Sequence, residues 1–273
     1  MKGSRRDFLK AAGITAAGAT GLGIAGLRIA RAEEHLAEVE AAGADRWAMV
    51  IDLPRWTELD AAVRQRAIDA CHRAHNVPDF VSARSPVPEE ERNVNHEIKW
   101  IWEEGFENAF PDSYHADLVE ALRDAQVPVL CNHCDRPPCV RVCPTQATWR
   151  REDGVVMMDM HRCIGCRYCI IGCPYGSRSF NFRDPRPGIA RINLDYPTRM
   201  RGVVEKCDFC TERLAEGGTP ACVEALNEAS NGNGPFVFGR VSDASVREAL
   251  REHFTIRRKP ELGTQPHVFY IVA

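Results

Sequence analysis

The sequence lacks the short motifs by which many proteins bind nucleotides or covalently attached haem. It has no Gly-Lys-Ser/Thr phosphate loop and no C-x-x-C-H haem-attachment motif, and no G-x-G-x-x-G occurs after residue 32. No Ser-His-Asp arrangement is visible in the sequence either. These absences argue against a nucleotide-dependent enzyme, a c-type cytochrome and a serine hydrolase.

Long apolar runs are also missing after residue 32, where no stretch approaches the roughly 20 apolar residues of a membrane-spanning helix. The first 32 residues differ, because Arg5-Arg6 begins a twin-arginine export motif, an Ala- and Gly-rich stretch follows, and residues 30–32 (Ala-Arg-Ala) offer a cleavage site. A retained anchor is the alternative, but the glycines and modest hydrophobicity favour a signal peptide at residues 1–32.

Positive charge is scarce for a protein that would bind nucleic acid. The whole chain has 35 basic and 38 acidic residues, and without residues 1–32 there remain 29 basic and 37 acidic residues, a net charge of −8. Nucleic-acid binding would require a basic balance, so the bulk charge excludes nucleic acid as a partner.

Cysteine, in contrast, is abundant and unevenly placed. Of twelve cysteines, eleven lie between Cys131 and Cys222, and Cys71 stands apart. Residues 163–174 have the spacing C-x2-C-x2-C-x3-C-P, which is the ligand run of bacterial [4Fe–4S] ferredoxins. Zinc sites need only pairs of cysteines, and disulfides inside so tight a turn would be strained. The spacing therefore favours iron–sulfur clusters over zinc or disulfides.

A second run, C-x2-C-x4-C-x3-C-P, occupies residues 131–144. In ferredoxins with two clusters the fourth cysteine of each run binds the other cluster. This exchange predicts cluster A on Cys131, Cys134, Cys139 and Cys173, and cluster B on Cys143, Cys163, Cys166 and Cys169.

A third run contains Cys207, Cys210 and Cys222 but has Leu226 where its fourth cysteine would stand. The segment ACVEALNEA (221–229) echoes PCVRVCPTQA (138–147), and MVIDLPRW (49–56) echoes VMMDMHRC (156–163) with Trp56 in the place of a cysteine. We interpret both changes as the loss of one whole cluster. Cys71, the fourth cysteine of the decayed unit, is then predicted to complete cluster C. Three [4Fe–4S] cubes would use all twelve cysteines.

Charged and histidine residues near these runs carry two further predictions. Residues 131–191 hold ten arginines and only five acidic residues. These arginines either form a solvated face or compensate the negative charge of the cubes. The arginines beside the runs include Arg136, Arg141, Arg162, Arg167 and Arg178. His133 and His161 would be surplus as ligands, and His72 and His75 are predicted to face solvent or a partner.

Hydrophobic periodicity predicts strands at residues 46–53, 97–102, 236–241 and 268–272 and helices at 33–42, 57–74, 116–124 and 245–253. The expected fold class is α+β, with a repeated bacterial-ferredoxin-like dicluster core of βαβ type and loop insertions. This multi-cluster iron–sulfur domain would occupy residues 33–273, after the signal peptide.

Four stretches of the sequence resemble the DsrO family, the exported iron–sulfur subunits of DsrMKJOP complexes in sulfate reducers and sulfur oxidisers. They are ACHRAHNVPDF (70–80), EIKWIWEEGFENAFP (97–111), VLCNHCDRPPCVRVCPT (129–145) and FNFRDPRP (180–187). Residues 46–240 are similar, more broadly, to four-cluster ferredoxin subunits of membrane-bound oxidoreductases such as polysulfide reductase. Trp56 and Leu226 depart from that four-cluster pattern.

The resemblance implies a periplasmic electron-transfer subunit that is not catalytic by itself. Such a subunit would be membrane-associated through an integral quinone-interacting subunit and other complex subunits, and would exchange electrons with a multihaem cytochrome c in sulfur metabolism. One alternative is the same kind of subunit serving a molybdenum reductase or a hydrogenase. Another is an exported interaction module stabilised by zinc or disulfides.

Overall fold

The computed structural model describes residues 45–111 and 122–272. The strands are β1 (Trp47–Asp52), β2 (Ile101–Gly105), β3 (Gln126–Leu130), β4 (Thr148–Arg150), β5 (Val156–Met158), β6 (Ser179–Phe180), β7 (Val204–Glu205), β8 (Phe236–Arg240), β9 (Thr255–Ile256) and β10 (Val268–Ile271). The α-helices are α1 (Leu53–Glu58), α2 (Ala61–Ala74), α3 (Phe106–Ala109), α4 (Pro138–Arg141), α5 (Tyr168–Ile171), α6 (Thr211–Ala215), α7 (Ala221–Ala229) and α8 (Ala244–Glu252).

The largest sheet joins the two ends of the described chain in the order β8-β1-β10-β9. Strand β1 runs parallel to β10, with Met49 opposite Val268, and antiparallel to β8. Helix α8 covers one face through the buried Val246 and Leu250. The other face meets the main apolar core, which also contains residues of α1, α2 and α7. The sheet thus fixes the first described segment against the last.

Three two-stranded antiparallel sheets carry the cysteine segments: β2 with β3, β4 with β5, and β6 with β7. Strand β3 ends immediately before Cys131, and β7 ends two residues before Cys207. Short strands, cysteine loops and short helices therefore alternate along the chain. The mixed helix and strand content agrees with the α+β prediction, while the repeated ferredoxin-like core stays a prediction.

Most predicted elements are found, with two changes of boundary. The strands at 46–53, 236–241 and 268–272 and the helix at 245–253 are confirmed to within about one residue at each end. The helix predicted at 57–74 is interrupted, because Leu59 has an extended backbone and α2 begins only at Ala61. The strand predicted at 97–102 lies instead at Ile101–Gly105, where its partner Gln126–Leu130 fixes it.

Three predictions fall wholly or mainly outside the described residues: the signal peptide at 1–32, the helix at 33–42 and the helix at 116–124. Within residues 45–111 and 122–272, none of the helices combines the length and the apolar character that crossing a bilayer requires.

Candidate iron–sulfur sites

The cysteines predicted to bind cluster A line one small cavity, and we call them group A: Cys131, Cys134, Cys139 and Cys173. Strand β3 delivers Cys131 and α4 carries Cys139, whereas Cys173 comes from the other cysteine run, after α5. His133 takes a positive φ of 41°, which turns the chain between the first two cysteines. The predicted exchange of the fourth cysteine thus places all four around one space.

Group B is the corresponding set for cluster B, and its members line a second cavity: Cys143, Cys163, Cys166 and Cys169. Gly165 lies in this loop with a φ of +71°, and a Cβ there would approach the Gly202 carbonyl oxygen to 2.4 Å. Only glycine fits this position, because both the conformation and the close approach exclude a side chain. Group B is also the most accessible group, since Cys166 is exposed and Cys169 alone is buried.

Group C brings Cys71 together with Cys207, Cys210 and Cys222. Burial raises the pKa of the Cys71 thiol, and the charges of the other three cysteines raise it further. Helix α2, which carries Cys71, packs along α7, which carries Cys222. All four side chains are buried. The cysteine that stands apart in the sequence therefore joins the group for which it was predicted.

The three groups follow one another in the order C, A, B. Cys131 of group A lies in the same buried cluster as Cys71, Cys207 and Cys222 of group C. Cys139 of group A lies in another buried cluster with Cys169 and Cys163 of group B. Group A consequently lies between the other two.

The donor sets fit [4Fe–4S] cubes in number and chemistry. All twelve cysteines are free of disulfides, and eight of them are buried. Burial raises the pKa of Cys222 to about 12 and moves that of Cys134 upward as well. Four crowded thiolates would repel one another in such cavities, and a bound cationic metal centre would remove this cost.

One arginine lies inside the cysteine region. Arg178 is only 4% exposed and donates from Nη2 to Cys139 Sγ at 3.1 Å and to Thr148 Oγ1 at 2.8 Å. Burial opposes its charge, but the nearby sulfurs of Cys139 and Cys169 outweigh burial and raise the pKa of Arg178. The other arginines named above, Arg136, Arg141, Arg162 and Arg167, are exposed. Arg178 is therefore placed to compensate the charge of the sulfurs by direct contact, whereas the four exposed arginines belong to a solvated face.

The prediction that His75 faces solvent or a partner is wrong. His75 is 1% exposed, and its Nδ1 donates to the Cys71 carbonyl at 2.8 Å. Its Nε2 lies 3.0 Å from Glu212 Oε1, and its ring stacks on Trp100 with centroids 4.4 Å apart. The ring lies at the end of α2, beside group C, because the helix that delivers Cys71 turns this side chain inward. His72 is half-buried.

The other two histidines named with the cysteine runs, His133 and His161, lie in different environments. His133 is buried, stacks on Phe209, and its Nδ1 accepts a hydrogen bond from the Val156 N–H at 3.1 Å. His161 is exposed. Whether either histidine binds a cluster stays a prediction.

Sequence reasoning missed a buried ion pair near group C. Arg199 and Glu205 have fully buried side chains and form a salt bridge. Trp100 Nε1 donates to Glu205 at 2.8 Å, and Arg199 also donates to the His75 carbonyl. No spacing in the sequence marks these residues, since their partners come from three separate segments. Removal of one partner of such a buried pair would be strongly destabilising, because the other charge would stay buried and uncompensated.

Trp56 and Leu226, where the pattern departs from four clusters, are both 0% exposed and belong to the same apolar core. Trp56 stacks on Phe236 with ring centroids 5.4 Å apart, and its Nε1 donates to the Gln126 carbonyl at 3.1 Å. Both positions are therefore filled by well-packed apolar side chains.

The comparisons with known proteins identify an iron–sulfur family. A family model described as a 4Fe-4S dicluster domain matches residues 124–185. The chain is 40% identical over 242 residues to the Hdr-like menaquinol oxidoreductase iron-sulfur subunit 1 of Archaeoglobus fulgidus, covering 82% of both chains. It is 32% identical over 245 residues to the menaquinone reductase iron-sulfur cluster-binding subunit of Nitratidesulfovibrio vulgaris, covering 83% of this chain and 88% of the relative.

Shorter matches extend to reductase subunits. One subunit of the tetrathionate reductase of Salmonella typhimurium is 40% identical over 156 residues, which is 56% of this chain and 54% of the relative. The protein is thus of the [4Fe–4S] cluster-binding class. The chain belongs to the family of iron–sulfur subunits of oxidoreductase complexes that includes the menaquinol and menaquinone subunits above.

Family membership supports the broader resemblance and the electron-transfer role, but not the DsrO subunit in particular. The names of the shorter matches, which include dimethyl sulfoxide and arsenate reductases, favour the reductase alternative over a sulfur-metabolism complex.

Proposed function

We propose that the protein is an electron-transfer subunit with three [4Fe–4S] clusters in a quinone-linked membrane complex. The observation that supports this most directly is the sorting of twelve cysteines into three groups of four that follow one another through the fold. In this proposal groups A, B and C hold clusters A, B and C. Bound cubes accept and release single electrons, so three in sequence would form a path for them.

The protein's own residues would tune that path. Arg178 supplies a positive charge and a hydrogen bond to the Cys139 sulfur, and both raise the reduction potential of a bound cube. Burial of group C, with His75 and the Arg199–Glu205 pair beside it, would keep water away from cluster C. Cluster B would be the most exposed of the three.

For the partner subunits, the relatives that cover over 80% of the chain have menaquinol or menaquinone in their names. These matches support an integral membrane subunit that interacts with quinone. We place a catalytic reductase, such as a molybdenum reductase, first as the second partner, because reductase subunits recur among the relatives. A multihaem cytochrome c, as in DsrMKJOP complexes, is the second candidate. Mass spectrometry of the complex purified through this chain from native membranes distinguishes them.

The isolated holoprotein is expected to exchange electrons with artificial dyes but not to oxidise quinol. The chain offers three candidate clusters, yet quinone chemistry in this proposal belongs to the membrane subunit. Dye reduction followed near 400 nm and quinol turnover by the same sample measure the two activities. Steady quinol oxidation by the single subunit would contradict the proposal, whereas the purified complex serves as the positive control.

Export through the twin-arginine pathway, with the signal at residues 1–32, is also part of this proposal. Arg5-Arg6→Lys-Lys is expected to leave cluster-loaded protein in the cytoplasm, because this pathway reads the arginine pair. The control is Arg28→Lys/Arg31→Lys, which changes two arginines of the same segment outside the pair. Cell fractionation measures both variants, and normal periplasmic accumulation of the first would show that export does not use the pair.

A further inference from the structure

Four apolar side chains next to the group B cysteines in the sequence are exposed. Ile171 is 83% exposed, Ile164 67%, Tyr168 59% and Val142 38%. Helices α4 and α5 pack together here, and a Cβ at Gly172 would lie 3.1 Å from a methyl group of Val142. We call these four residues the group-B face. Exposed apolar side chains grouped on neighbouring helices commonly mark a binding site.

The edge of the group-B face is basic. Arg141, Arg162 and Arg167 are exposed, and segments 141–146 and 161–172 contain no Asp or Glu. Arg162 has a carboxylate nearby, that of Asp159 at 3.3 Å. The chain after residue 32 has a net charge of −8, so this basic edge is a local exception. Its charge complements a partner with acidic residues around an apolar centre.

We propose that the group-B face docks an electron-carrying protein that presents an acidic rim around an apolar contact. This inference rests on the proposed function, since the docked protein would exchange electrons with cluster B. The exposed Cys166 lies within the same surface, whereas groups A and C are mostly or wholly buried. An apolar centre with a charged rim is the usual anatomy of a protein interface, and the rim charges chiefly accelerate association.

The test uses purified full-length holoprotein, reduced and then mixed with an acidic flavodoxin in a stopped-flow instrument. At low salt, Arg141→Glu/Arg162→Glu is expected to slow reoxidation by about tenfold, because it reverses the steering charge. Ile171→Glu is expected to slow it as well, and the wild-type rate should fall as salt rises. The matched controls are Arg66→Glu/Arg251→Glu and Leu262→Glu, exposed residues outside the face, which should react like wild type.

Two further measurements, the iron content and the rate of reoxidation by a small neutral dye, distinguish failure of the docking proposal from failure of the proposed function. A wild-type protein without reducible clusters would refute the proposed function itself. With clusters intact, unchanged flavodoxin rates in the face variants, or an equal loss in Leu262→Glu, would refute the docking face. Co-sedimentation with anionic-lipid vesicles that Ile171→Glu abolishes would assign the face to a membrane instead and overturn the protein partner.

Discussion

Replacing Cys71 with serine is expected to remove one cluster and leave the other two. Helix α2, which carries Cys71, packs along α7, which carries Cys222, and the charges of Cys207, Cys210 and Cys222 act on the Cys71 thiol. Iron should fall from about 12 to about 8 atoms per chain, since each cube holds four iron atoms. Iron analysis and EPR of the reduced protein measure the loss.

The companion variant Cys222→Ser should abolish the same EPR signal, because both side chains belong to group C. Ala62→Ser introduces the same side chain on the same helix, at an exposed position on the face opposite Cys71, and should keep all the iron. Two results would overturn the assignment: a Cys71→Ser protein with every cluster signal unchanged, or about 16 iron atoms in the wild type, as four cubes would require.

The grouping of the cysteines could be predicted because ligand spacing is local chemistry. A cube takes three ligands from cysteines only three to five positions apart, so the runs at 131–144 and 163–174 are visible without a fold. The role of Cys71 could be predicted from a different signal, the similarity between segments 49–56 and 156–163. The structure brings these residues together, while the bound clusters themselves remain a proposal.

Other features of the site could not be predicted because they depend on contacts between distant segments. The sequence predicts that His75 is exposed, because it is a polar residue at the end of a helix. In the structure, Trp100 and Glu212 from two other parts of the chain enclose its ring. Arg178 cannot be told from its exposed neighbours by sequence, since its burial depends on how β4 and the cysteine loops meet. The central pairing of β1 with β10 is likewise non-local.

Replacing Trp56 with alanine is expected to cause a large loss of stability without loss of iron. Trp56 is completely buried and stacks on Phe236, so truncation would leave a cavity in the main core. Trp-to-Ala changes in cores cost about 3–5 kcal/mol. Thermal and denaturant unfolding of the holoprotein measure the effect, and Trp149→Ala, at a position 39% exposed, should cost about 0.5 kcal/mol.

Trp56→Ala also tests the interpretation that apolar packing has replaced a fourth cluster. If Trp56 and Leu226 have replaced a cluster with apolar packing, their contribution is to the core and not to iron binding. Trp56→Ala should therefore keep about 12 iron atoms, and Leu226→Cys should not add a cube, because a single new thiol lacks the other ligands. A Trp56→Ala protein that unfolds like wild type, or one that loses iron in proportion to its cluster signals, would contradict this account of the lost site.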